Sequence, residues 1–200
     1  MIYNQFAKPE GITGKFAGMF MERENRKLND WTLSFLDIGK GDTVLEVGFG
    51  SGAALKKSAT FEPEALYGID PSEAMVEMVL KKLNDQAYSK QIGIIHGEAS
   101  HLLHFHKSLD KIYAVNTITF WDRPFEILCH LRTLLSEKGK IALTIVPHEE
   151  GATDDTTEVL GGQMKNLLVK AGYKNVCIHY KSEKPNDAVC VTGMKNDMIG

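Results

Sequence analysis

The chain has 200 residues, with a 43% hydrophobic and 24% charged share and a formal net charge of -3. These values suit one domain that buries a core without disulfides or metals, and they exclude disordered and membrane-embedded classes. The weak charge, with no Lys/Arg run longer than two, points away from nucleic acid as a partner.

The first ten residues lack the apolar core of a secretory leader, and no stretch approaches membrane-spanning length, so a cytoplasmic protein without membrane association is expected. From Gly11 to Leu36, Ile12, Phe16, Met19, Phe20, Leu28, Trp31, Phe35 and Leu36 recur at mostly three- and four-residue steps. This pattern predicts two helices, split by the charged stretch 22–27. The first is either a mobile lid or a plain structural cap, and the second is an amphipathic helix lying on a sheet. Residues 1–38 thus read as a helical cap and 40–195 as the ligand-binding core of a single domain spanning 1–200. Residues 37–42, with Gly39 and Gly41, form the turn into the first strand.

Residues 43–52 read Thr-Val-Leu-Glu-Val-Gly-Phe-Gly-Ser-Gly, and Ala-Ala-Leu-Lys-Lys follows. An apolar run that breaks into Gly48, Gly50 and Gly52 and then into good helix formers predicts a strand, a tight turn and a helix start. Such a turn admits a ligand to the backbone, and the unpaired N–H groups that open a helix favour electron-rich atoms. Gly48, Gly50 and Ala53 also satisfy the dinucleotide pattern G-x-G-x-x-G/A, so an NAD(P)-dependent oxidoreductase stays open on the glycines alone. Glu46, two residues before the first glycine, discriminates, because an anion there suits an amino group or a bridging water. The run resembles the first motif of class I S-adenosylmethionine-dependent methyltransferases. That resemblance implies S-adenosyl-L-methionine as cofactor and S-adenosylhomocysteine as product, with Glu46 on the methionine end.

Next come a strand over 65–69 ending at Asp70 and a helix through Leu83. Asp70 lies 18 residues beyond Gly52, near the distance expected of an acid that grips ribose hydroxyls. It is alternatively a cap for the helix, a task that Ser72 can also perform. Met75 either lies against an adenine ring or belongs to the core. Residues 91–96 form a third strand, followed by Gly97-Glu98-Ala99. The resemblance implies that Glu98 accepts from the adenine amino group and that the backbone N–H of Ala99 donates to the ring. The family more often has Asp at the first of these positions, and a solvated loop carboxylate is the alternative. His101, His104 and His106 crowd one stretch but lack metal-ligand spacing, so they read as surface histidines and no metal is expected.

A fourth strand, 110–116, runs out at Asn116 into Phe120 and Trp121. Ligands of open α/β sheets bind at the carboxyl ends of strands, which places Asn116 beside the reacting centre and makes Trp121 a candidate wall for a substrate. Methyltransferases of nucleic-acid or protein amino groups carry an Asn/Asp-Pro-Pro-Tyr-like tetrapeptide here. Asn116-Thr-Ile-Thr departs from it. A helix over 124–135 and a fifth strand over 140–146 lead to His148, a candidate proton acceptor or a solvated loop residue. A helix over 156–171 precedes two strands, 175–180 and 188–194, whose short connection forces an antiparallel pair. Cys177 and Cys190 are placed to face each other across that hairpin as free thiols.

A mostly parallel sheet closed by one antiparallel hairpin strand resembles the class I methyltransferase architecture, which implies a doubly wound α/β fold of seven strands in the order 3-2-1-4-5-7-6, strand 7 antiparallel, here with an N-terminal helical cap. The resemblance implies in-line methyl transfer to a small-molecule acceptor, with a non-catalytic S-adenosylmethionine-binding module as a further alternative. Phe16, Met19 and Trp121 would line the acceptor pocket. His148 or Tyr3 would take a proton if the nucleophile carries one.

Overall fold

The run Thr43–Val47 is buried along its whole length, which explains why it reads as an unbroken apolar strand and not as an alternation. In the computed structural model, which describes residues 26–83, 92–102, 105–149, 151–184 and 186–196, this strand lies inside a seven-stranded sheet. The strands are β1 (Thr43–Val47), β2 (Ala65–Asp70), β3 (Ile92–His96), β4 (Leu109–Val115), β5 (Leu135–Ile145), β6 (Lys174–Lys181) and β7 (Ala188–Met194). Their order is β3-β2-β1-β4-β5-β7-β6. β1 to β5 pair in parallel, and β7 runs antiparallel to both neighbours, as expected.

Alternate residues of each strand feed two cores. Leu45, Val47, Ile69, Ile112, Leu143 and Val191 pack with helices α4 (Pro124–Leu134) and α5 (Asp154–Lys170) on one face. Val44, Leu66, Tyr113, Ala142 and Cys190 pack on the other with α2 (Ala53–Ala59), α3 (Glu73–Leu83) and α1, whose described part covers residues 26–34. α1 is the amphipathic helix expected from the periodicity. Its Leu28 meets Val146 and Ala188, and its Thr32 hydroxyl donates to Thr144 Oγ1 at 2.7 Å. The helix expected before it lies outside the described residues.

Three expectations need correction. Trp121 is only 9% exposed and belongs to the core with Ile127, Leu128 and Leu131, whereas its neighbour Phe120 is 52% exposed. The short 3-10 turn Ile118–Phe120 rotates the chain so that the indole faces inward. Cys177 pairs in register with Thr192 while Cys190 opposes His179, so the two cysteines are not direct partners. Cys177 is exposed, and Cys190 is fully buried with its thiol pushed up to about 12 by desolvation. Finally, β5 begins at Leu135, directly after α4, with a register irregularity before Lys140, where the strand was expected to start.

One polar chain interrupts the apolar layer between the sheet and α2. Ser58 of α2, Tyr113 of β4 and Glu46 of β1 are all buried, and the Tyr113 hydroxyl donates to Glu46 Oε2 at 3.0 Å. Ser58 Oγ lies 2.8 Å from the same hydroxyl, which completes the chain by donating to it. Desolvation raises the Glu46 carboxyl well above the usual carboxylate range; the Tyr113 hydrogen bond opposes that shift and the nearby Asp70 charge adds to it. Burial likewise pushes the Tyr113 phenol up.

Trp121→Ala should cost about 3–5 kcal/mol of unfolding free energy, and Phe120→Ala within about 0.5 kcal/mol of nothing, as read by urea denaturation. Equal costs would contradict the assigned burial. Below the ordinary glutamate pKa, Glu46 is protonated in the folded and unfolded chain alike. Above it, the unfolded chain releases the proton that the fold retains, so stability falls by at most ~1.4 kcal/mol per pH unit until the raised folded pKa is passed. Glu46→Gln should therefore gain stability relative to the parent as the pH rises above the ordinary glutamate pKa, and parallel pH profiles would refute this.

Candidate active site

The sheet changes winding direction between β1 and β4, and the crevice outside their carboxyl ends is where open α/β folds bind ligands. The glycine turn opens here, and its three glycines meet different surroundings. A Cβ at Gly48 (φ +77°) would sit 2.3 Å from Thr117 Cγ2, and one at Gly52 (φ +77°) would sit 2.8 Å from Val79 Cγ2. Both positions are closed by packing, the first against the segment after β4 and the second against α3. Gly50 (φ +48°) faces open space, with nothing within 4 Å of a built Cβ. The outer glycines therefore seat the turn, and the middle one leaves its backbone approachable.

Asp70 ends β2 beside this opening and is nine-tenths buried. Its Oδ2 accepts the Gly50 N–H at 2.8 Å and its Oδ1 accepts the Ser72 N–H at 2.9 Å. The helix-cap alternative for Asp70 is not what forms. Ser72 takes that position, its hydroxyl accepting the Met75 N–H at 3.4 Å, so the Asp70 carboxylate stays at the turn. His96, in register with Asp70, places Nε2 3.1 Å from the Pro71 carbonyl and clamps the same loop from β3.

Glu46 lies behind the turn. It is only 3% exposed, and its Oε2 accepts from the Tyr113 hydroxyl. Alternation along β1 places it on the same face as Val44, the one covered by α2. Met75 is half-buried and packs against the core on the α3 side. Glu98 is exposed and forms no side-chain cap, while Ala99 is buried in the first core.

Asn116 follows β4 in the left-handed region (φ +55°), a conformation Asn tolerates better than most residues. Its side-chain oxygen accepts the Val146 N–H at 2.9 Å and ties the rims of β4 and β5 together. Thr117 beside it donates to the Val47 carbonyl at 3.1 Å and packs its methyl on Gly48. His148 is exposed past the end of β5. Tyr3, Phe16 and Met19 lie outside the described residues. Among the described residues no group of three or more His, Cys, Asp or Glu side chains is placed to hold a metal; His101 and His106 are exposed, and His104 is outside that set.

Sequence reasoning missed Thr117, Tyr113, Ser58 and Lys82, whose ammonium donates to the Ser51 carbonyl at 3.2 Å. Each acts across a gap of 31 to 70 residues. Only the spacing of Tyr113 on β4 carries a signal, since it shares a sheet face with Glu46 once the strands are paired.

A model of a methyltransferase domain matches residues 45–143. An uncharacterised methyltransferase of Bacillus subtilis (strain 168), YdaC, is 33% identical over 180 residues, covering 90% of this chain and 97% of that protein. A tRNA U34 carboxymethyltransferase of Idiomarina loihiensis is 28% identical, over 80% of this chain and 55% of its own length. In three dimensions the chain is similar to a SAM-dependent methyltransferase from Aquifex aeolicus, with a TM-score of 0.73, 19% identity, and 92% of this chain and all of that one covered. The glycine turn at the switch point, the antiparallel seventh strand and a relative matched over nearly its full length place this chain in the class I S-adenosylmethionine-dependent methyltransferase family.

Proposed function

We propose that the chain binds S-adenosylmethionine across the glycine turn and transfers its methyl group to a small-molecule acceptor by in-line displacement. The observation that carries this is the pairing of an open Gly50 with the Asp70 carboxylate. Each Asp70 oxygen accepts one backbone N–H, and a carboxylate oxygen has a second acceptor direction left for one hydroxyl of a vicinal diol. The cofactor fits this donor set. Bound there, it supplies an electrophilic methyl group on a sulfonium.

The residues divide the remaining tasks. Gly50 gives the backbone approach while Gly48 and Gly52 seat the turn, and Asp70 holds the ribose. Met75, Glu98 and the Ala99 backbone bound the adenine side, and Asn116 sets the rim where the acceptor meets the methyl group. Exposed Phe120 replaces Trp121 as the aromatic surface offered to a neutral or aromatic acceptor. His148, or Tyr3, takes up the proton when the nucleophile carries one. Holding two reactants in line supplies on the order of 7 kcal/mol or more of barrier reduction, so positioning does most of the work.

The weak net charge and the absence of Lys/Arg runs longer than two support a small molecule over RNA, although one relative is named for tRNA modification. Methyl transfer from labelled S-adenosylmethionine to a panel of neutral aromatic acceptors, with bulk tRNA alongside, tests the reading. Label appearing only in tRNA would overturn the acceptor class. Asp70→Asn should weaken S-adenosylhomocysteine binding about 10- to 100-fold by calorimetry, the loss expected of a charged hydrogen-bond acceptor worth about 1.5–3 kcal/mol. An unchanged Kd would remove Asp70 from the site.

A further inference from the structure

α2 opens in an unusual way. Its N-cap is Gly52 in the left-handed conformation, and no side chain caps it. The intrahelical ladder begins with Lys56 N–H donating to the Gly52 carbonyl at 3.0 Å, so the Leu55 N–H one residue earlier has no acceptor within the helix. With only seven residues, α2 has little helical stability of its own and depends on tertiary contacts such as that of Ser58 with Tyr113.

The glycine turn is thus held on two sides. In front, Asp70 takes the Gly50 N–H and the Ile69 carbonyl takes the Gly48 N–H at 2.7 Å. Behind, the turn joins β1 to α2, and one hydroxyl on another strand ties the two together. Tyr113 is fully buried, donates to Glu46 Oε2, and is backed by Ser58 on α2 itself. β1, β4 and α2 are thus linked by one chain of hydrogen bonds behind the open Gly50.

We infer that Tyr113, backed by Ser58, is a positioning residue for cofactor binding: its hydroxyl ties Glu46 of β1 to Ser58 of α2 and so keeps the glycine turn between those two elements in its ligand-accepting shape. The inference rests on the cofactor reading above. Tyr113 touches no ligand and contributes nothing to methyl transfer itself. Its effect falls on affinity, through the pose of Gly50 and of the first turn of α2.

The test uses the full chain with Tyr113→Phe, which keeps the ring and removes only the hydroxyl, and Ser58→Ala as a milder second variant. Amide hydrogen exchange, measured by NMR without ligand, should speed up about ten-fold at Lys56, whose N–H opens the α2 ladder, in Tyr113→Phe relative to amides of α5. The Kd for S-adenosylhomocysteine should rise about ten-fold in Tyr113→Phe and about three-fold in Ser58→Ala. A purely structural hydroxyl would lower the unfolding midpoint and leave both readouts at parent values, and that result overturns the inference. Should Tyr113→Phe not fold, Ser58→Ala decides by the same two readouts. A parent that binds no S-adenosylhomocysteine overturns the cofactor reading, and this inference falls with it; unchanged variants beside a binding parent sink the inference alone.

Discussion

The fit of Gly48 against Thr117 constrains the rest of this structure. A Cβ at Gly48 would lie 2.3 Å from a Thr117 methyl carbon, so the end of β1 and the segment leaving β4 approach as closely as backbone and side chain allow. Thr117 secures the approach by donating to the Val47 carbonyl. With β1 and β4 locked at the point where the sheet changes winding direction, the glycine turn can open only outward. There Gly52 rests on Val79 of α3 and Gly50 remains uncovered. Two glycines are spent on packing and one on approach, a division of labour known for glycine-rich turns that receive nucleotides.

Carboxyl groups at the two sides of this turn have opposite electrostatic fates. Asp70 lies at the crevice, its two oxygens taking the Gly50 and Ser72 amides, and it remains an acceptor for a diol. Glu46 is enclosed, held by the Tyr113 hydroxyl, and desolvation pushes its carboxyl toward the neutral form. Two anions so close would repel each other in a low-dielectric layer, and burial of one relieves the conflict. The acid that most distinguishes the motif in sequence is enclosed against Tyr113, and the acid at the end of β2 borders the glycine turn.

The acceptor side is built on other lines. Asn116, Thr117 and Phe120 all follow β4, and the side-chain oxygen of Asn116 is committed to Val146 at the end of β5. The rim is a braced edge that presents an exposed phenylalanine, and Trp121 anchors it from beneath.

The local signals were legible in the amino-acid sequence: a buried strand breaking into glycines, an acid closing the second strand, and a final hairpin too short to cross the sheet. They located the strands, the tight turn and the antiparallel last strand, because each rests on backbone rules acting over a few residues, and the family resemblance supplied the strand order. What the tertiary structure alone decided was the direction in which side chains point. Glu46 turns to Tyr113, 67 residues away, and Trp121 turns inward while Phe120 turns out. Cys190 opposes His179 instead of Cys177. Such outcomes depend on strand register and on short 3-10 turns, where a shift of one residue exchanges the two faces of a sheet, and no local pattern in the chain encodes that choice.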